Sequence, residues 1–113
     1  MKEEMERLER ALDASIMVAI GKTVLFVKCW EYLKPRLGTQ NQQQLENVKI
    51  AVREQFNSLP DDLFFIPPEL ASTEDGVRRY FQNRFDDGGF RTEFMKEFEK
   101  RIRLSKPDLA EFF

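Results

Sequence analysis

The 113-residue sequence contains no histidine and only one cysteine, Cys29. Without these side chains the chain cannot form a histidine-dependent catalytic triad, a Cys/His zinc site, a haem–histidine bond or an internal disulfide. No spacing of carboxylates identifies a catalytic residue, and we expect no metal and no cofactor. The sequence therefore favours a non-enzymatic protein.

Long uninterrupted hydrophobic runs are also absent. The most apolar segment, residues 16–30, is interrupted by Gly21, Lys22 and Lys28, and it is shorter than the roughly 20 residues that span a bilayer. The first six residues contain three Glu and one Lys, whereas a secretory signal begins with basic residues. We therefore expect a cytoplasmic protein that does not bind membranes.

Neither sign of charge is in large excess, because the chain contains 18 Lys and Arg and 20 Asp and Glu, which gives a net charge of -2. This balance gives the whole chain no strong attraction for nucleic acid. Residues 77–106 nevertheless contain nine basic and five acidic side chains, a local net charge of +4. This segment has the charge to contact phosphates or an acidic protein.

Apolar residues recur three or four positions apart through most of the sequence, which is the spacing of one helix face. In the first helix the predicted stripe comprises Met5, Leu8, Leu12, Ile16, Ala19, Thr23, Phe26, Trp30 and Leu33. The pattern and its proline and glycine breaks predict helices over residues 2–36, 41–58, 73–85 and 90–104, a proline-bounded loop over 60–71 and a short turn over 107–113. We therefore predict a single all-α domain of four to five helices over residues 1–113.

The first predicted helix is the element most relevant to assembly. Residues 16–29 are apolar on nearly every side, and Gly21 together with many β-branched neighbours leaves a β-hairpin open as an alternative. As a helix, residues 2–36 would be about 50 Å long, which exceeds what a compact domain of this size needs. We therefore expect this helix to pack against a second copy in a dimeric bundle.

Two short motifs resemble ligand-binding loops but lack their essential parts. Residues 21–23 read Gly-Lys-Thr, like the end of a phosphate-binding loop, yet Ile16 stands where the first glycine should be. Residues 86–89 read Asp-Asp-Gly-Gly, which offers too few oxygen ligands for a calcium loop. We predict that this second motif is a turn whose glycines end the third helix, and that Ser72 caps the start of that helix.

The candidate partner-binding residues are aromatic or basic. They are Phe26, Trp30, Arg78, Arg79, Lys96, Lys100, Arg103, Phe112 and Phe113. Ten of the eleven phenylalanines lie from Phe56 onward, which gives the C-terminal half a large aromatic area. The final Phe112 and Phe113 either pack on the domain's own core or dock on another chain, and we favour the first alternative.

The function that these features favour is a small regulatory protein that binds another protein and itself. An adaptor, an inhibitor, an immunity-like protein or an assembly subunit would each fit this description. Two alternatives stay open. One is a nucleic-acid-binding protein that uses residues 78–106, and the other is a small-molecule sensor with an aromatic pocket near Trp30.

Overall fold

A computed structural model describes residues 2–66, 69 and 73–113, with the side chains of residues 3, 5 and 15 onward. Four α-helices form the fold: α1 (Lys2–Leu33), α2 (Gln42–Ser58), α3 (Glu74–Asp86) and α4 (Gly88–Ser105). Three short 3₁₀ helices follow α1, α2 and α4, at Lys34–Arg36, Asp61–Phe64 and Pro107–Phe112. No β-strand occurs in the described ranges. The predicted all-α class is therefore confirmed.

Helix α1 packs against α2 and α3, and α4 closes the bundle against the same two helices. The hairpin alternative for residues 16–29 is wrong, because this whole segment is helical. The predicted helix over residues 2–36 is also too long. Its last three residues form a 3₁₀ helix instead, since Pro35 has no N–H to continue the α-helical hydrogen bonds.

The buried face of α1 matches the predicted one only toward the end of the helix, where Leu33 is buried and Phe26 and Trp30 are half-buried. Ile16 is 55% exposed and Ala19 and Thr23 are exposed as well, while Leu8 and Leu12 lie outside the residues whose side chains are described. The buried positions are Val18, Gly21, Val24, Leu25, Cys29 and Leu33. Because residues 16–30 are apolar all round, spacing alone could not identify which side the other helices cover.

In the sequence, the apolar residues of the second predicted helix recur at helical spacing, and the structure confirms that they form the inner face of α2. The Asn41 side-chain oxygen accepts hydrogen bonds from the backbone N–H groups of Gln43 and Gln44, at 3.0 and 3.1 Å, and so caps the helix start. Its buried stripe is Leu45, Val48, Val52 and Phe56, followed by Leu59. These residues recur at helical spacing between polar ones, so the pattern specified a single side.

The apolar residues of the predicted proline-bounded loop between α2 and α3 do not all enter the core. Among the described residues of this loop, Phe64 alone is fully buried, at 1% exposure, whereas Leu63 and Phe65 are 58% and 61% exposed. Pro67 and Pro68 lie outside the described residues. The 3₁₀ geometry over residues 61–64 turns successive side chains in different directions, so one aromatic ring enters the core and its neighbours face solvent.

Asp87 joins α3 to α4 without an intervening loop. It is the C-cap residue of α3 and the N-cap residue of α4. Its carboxylate accepts a hydrogen bond from the backbone N–H of Phe90 at 3.0 Å. Gly88 and Gly89 therefore begin α4, and the prediction that they end α3 is wrong. At the other end of α3 the capping side chain is that of Thr73, while Ser72 lies outside the described residues.

The C-terminal 3₁₀ helix folds back onto the domain. The backbone N–H of Gly38 donates a hydrogen bond to the carbonyl oxygen of Phe112 at 2.8 Å. Leu109, Phe112 and Phe113 are half-buried and pack against the core. This packing agrees with the alternative that we favoured for the final phenylalanines.

Gly21 allows α1 and α3 to approach closely. A Cβ atom at this position would lie 2.7 Å from Phe81 Cε2 and 3.2 Å from Phe64 Cδ1. Both rings are almost completely buried, so neither can move aside without disturbing the core.

We expect Gly21→Ala to lower the free energy of unfolding by about 1–3 kcal/mol, because overpacking outweighs the higher helix propensity of alanine. Urea denaturation followed by circular dichroism measures this change. The matched control is Gly88→Ala, since a Cβ at Gly88 approaches only the Arg91 Nη2 atom, at 3.8 Å. Equal stability of the two variants would contradict the close packing at Gly21.

We also expect Phe64→Ala to lower the free energy of unfolding by about 3–5 kcal/mol, the usual cost of removing a buried phenylalanine ring. Phe65→Ala removes the same atoms from a side chain that is 61% exposed, and it should cost far less. The same denaturation measurement compares the two. A similar loss in both variants would contradict the placement of Phe64 in the core and Phe65 at the surface.

Candidate interaction surfaces

Phe26 lies in an open groove between α1 and α2. Its ring meets the Phe56 ring edge to face, with centroids 6.2 Å apart, and the Arg53 guanidinium lies 5.1 Å from its centroid. The groove encloses about 510 Å³ and is lined by Ala19, Lys22, Thr23, Phe26, Val27, Arg53, Phe56 and Asn57. Among the described residues, Trp30 does not line this groove. Trp30 instead packs, half-buried, against the core.

Cys29 and Glu99 form a partly buried pair of titratable groups. The Cys29 thiol is fully buried and donates a hydrogen bond to the Met95 sulfur at 3.6 Å. Burial raises the pKa of the Cys29 thiol far above its ordinary value, and the charge of Glu99 raises it further. The thiol is therefore protonated at neutral pH, which does not favour a role as a nucleophile.

Burial also raises the pKa of Glu99, although the positive charge of Arg103 opposes this change. Glu99 lies on α4 with its side chain half-buried. Because burial disfavours the ionised form, the charged carboxylate destabilises the folded state.

The basic candidates lie on two different helices. Arg78 and Arg79 are exposed on α3, and Arg78 forms a salt bridge of 2.8 Å with Glu74. The remaining three, Lys96, Lys100 and Arg103, are exposed on α4. At about 100° per residue these three lie within a sector of about 60° around the helix axis. They form a continuous basic row.

Other cations of the basic segment are engaged within the domain. The Arg84 guanidinium lies 4.7 Å from the Phe90 ring centroid, and Arg91 donates a hydrogen bond to the Phe85 carbonyl oxygen at 3.4 Å. Lys106 forms a 3.5 Å salt bridge with Glu54. The local charge excess seen in the sequence is therefore only partly available to a partner.

Part of the stripe predicted for the first helix is exposed on α1 and forms a line of mostly apolar side chains. Met5, Ile16 and Val27 are 64%, 55% and 45% exposed, and Thr23 between them is exposed with its hydroxyl donating to the Ala19 carbonyl oxygen. Eleven residues separate Met5 from Ile16 and Ile16 from Val27. A step of eleven positions along an α-helix rotates a side chain by three full turns and about 20° more. The three side chains therefore lie within about 40° of one another around the helix axis. We call Met5, Ile16, Thr23 and Val27 the α1 stripe.

A second apolar surface follows α4. The rings of Phe90, Phe94 and Phe98 stack in sequence, with centroids 5.5 and 5.6 Å apart, and Leu59 and Leu63 face them. The groove between the two walls encloses about 290 Å³, and Glu93, Glu97 and Arg101 complete its lining. We call it the α4 groove. Of these three rings, Phe98 alone is fully buried, and Phe90 and Phe94 are half-buried.

Comparison with known proteins provides no further assignment. No protein-family model, curated protein or solved structure matches the chain. Within the described ranges there is no group of three or more Cys, Asp or Glu placed to hold a metal ion. None of the helices in the described part of the chain has a segment long and apolar enough to cross a bilayer. The function is therefore inferred from the surfaces themselves.

We expect Glu99→Gln to raise the free energy of unfolding slightly at neutral pH, because it removes a half-buried charge whose cost is kept small by solvent screening. The raised pKa in the folded state means that the wild type gains stability as protons bind. The difference should therefore disappear below about pH 4, where the carboxyl is protonated in both states. Urea titrations across this pH range measure it. A variant that is less stable at neutral pH would contradict the assignment.

Proposed function

We propose that the protein is a non-enzymatic protein-interaction module that forms a homodimer through α1. The observation that supports this most strongly is the α1 stripe. Single exposed hydrophobic residues are ordinary on protein surfaces. Three large ones along one side of the same helix are instead typical of a helix face that packs against another helix.

The spacing of the α1 stripe is self-complementary. Ile16 lies midway between Met5 and Val27, eleven residues from each, so each half of the stripe is about 16 Å long. Two antiparallel copies with their Ile16 side chains facing each other would align Met5 of each copy with Val27 of the other. Such an interface uses the same residues on both chains, as a twofold symmetric dimer requires.

The dimensions of α1 also support a role in assembly. Its 32 residues span about 48 Å, whereas the 18 residues of α4 span about 27 Å. The domain measures 54 Å along its longest axis and only 27 and 22 Å along the other two. Helix α1 is therefore much longer than the helices that cover it, and a second copy would supply a matching surface.

The basic row on α4 favours nucleic acid binding as a second candidate function. Lys96, Lys100 and Arg103 are exposed together on one side of a helix, and such a row can contact successive phosphates. The net charge of -2 opposes this function, so we rank it below protein binding.

The dimer is tested by light scattering after size-exclusion chromatography. We expect a mass of twice 13.4 kDa for the wild type and a monomer for Ile16→Glu, because two carboxylates would face each other on the symmetry axis. The matched control is Ile50→Glu on α2, since Ile50 is 47% exposed, and it should remain a dimer. A monomeric wild type, or equal behaviour of the two variants, would overturn the proposal. Co-eluting nucleic acid that is lost at high salt would favour the second candidate.

The orientation of the two copies is tested by cysteine cross-linking, since the native Cys29 is buried. On oxidation, Ile16→Cys should form a disulfide-linked dimer, whereas Met5→Cys alone should not. A mixture of Met5→Cys and Val27→Cys should cross-link efficiently. Efficient cross-linking of Met5→Cys alone would indicate parallel helices and contradict the antiparallel arrangement.

A further inference from the structure

We propose that the α4 groove binds an amphipathic helix from a partner protein, with Lys or Arg residues beside the apolar face of that helix. This surface is separate from the α1 stripe and does not depend on dimerisation. The inference rests on three features of the groove: its apolar walls, its fixed shape and the charges at its rim.

The walls of the groove expose apolar surface that the domain itself does not cover. Leu63 is 58% exposed on one wall, and Phe90 and Phe94 are half-buried on the other. From Phe90 to Arg101 the groove follows α4 for eleven residues, about 16 Å. Three turns of a helix have the same length, and apolar residues three or four positions apart would meet successive rings.

The groove is held in shape by the core beneath it. The Phe56 ring contacts Phe94 and Phe98, with centroids 5.9 and 4.8 Å apart, and Phe98 is only 2% exposed. The Arg84 guanidinium lies over the outer Phe90 ring. Because these rings are already fixed, a ligand would not have to order them, and this preorganisation favours binding.

The charges at the rim select the chemistry of the partner. Glu93 and Glu97 line the groove one turn apart, and neither forms a salt bridge with another described residue. Arg101 follows one turn later. The basic row of Lys96, Lys100 and Arg103 does not line the groove, so the two carboxylates outnumber Arg101 at its rim. This rim complements cations that flank the apolar face of a helix.

The test uses a synthetic probe, a fluorescein-labelled 16-residue amphipathic peptide of Leu and Lys, and measures fluorescence anisotropy with the full chain. We expect saturable binding at micromolar concentrations. The same peptide with Glu in place of Lys should bind at least tenfold more weakly. Absence of saturable binding of the Leu/Lys peptide would overturn the proposal.

Charge variants distinguish the effect of the two rim carboxylates on peptide binding from the effect of the protein's overall negative charge. Glu93→Lys/Glu97→Lys should weaken binding of the Leu/Lys peptide at least tenfold. The matched control is Glu46→Lys/Glu111→Lys, which makes the same change in net charge at two exposed positions on other elements, and it should stay within twofold of the wild type. Equal weakening by the two double variants would show that only overall charge acts, and would overturn the proposal.

Apolar variants test the walls of the groove. Leu63→Lys should weaken peptide binding at least tenfold, whereas Leu104→Lys, at a residue that is 74% exposed and does not line the groove, should not. Circular dichroism confirms that each variant is folded. Ile16→Glu should bind the probe normally, so failure of the dimer leaves this proposal intact. If the wild type does not bind the peptide and Leu63→Lys no longer forms a dimer, the groove is occupied by a second copy of the chain. That result would overturn the proposal.

Discussion

The close contact of α1 with two aromatic rings at Gly21 is the constraint on which the rest of the bundle depends. The missing side chain brings the Phe81 ring of α3 and the Phe64 ring of the 3₁₀ helix against the α1 backbone. This contact fixes which side of α1 faces inward. The opposite side, with Ile16 and Val27, is consequently left at the surface.

A continuous series of aromatic rings connects this core to the surface. Phe56 on α2 contacts Phe26 on α1 and both Phe94 and Phe98 on α4, and the stack continues outward to Phe90. The same rings therefore fill the interior and form the wall of the α4 groove. Core packing and the shape of the α4 groove are thus properties of one cluster, because the core rings fix the groove wall.

Sequence periodicity predicted the helices and the inner face of α2 because there the apolar residues alternate with polar ones at helical spacing. It could not orient α1, since Ile16 and Val18 are both strongly apolar and only the packing of the rest of the domain leaves one exposed and the other buried. It also assigned Gly88 to the end of α3. In the structure the Asp87 carboxylate caps the following helix instead, and local composition does not distinguish these two outcomes. The α4 groove escaped prediction because spacing separates inner from outer positions but does not show how far a neighbouring helix extends.

The direct junction at Asp87 has a mechanical consequence. Helices α3 and α4 meet at this one residue with no longer linker between them, so any change in their relative angle is confined to the backbone torsions at Asp87. Asp87 thus connects the helix that carries the α4 groove directly to the helix whose Phe81 ring contacts α1 at Gly21.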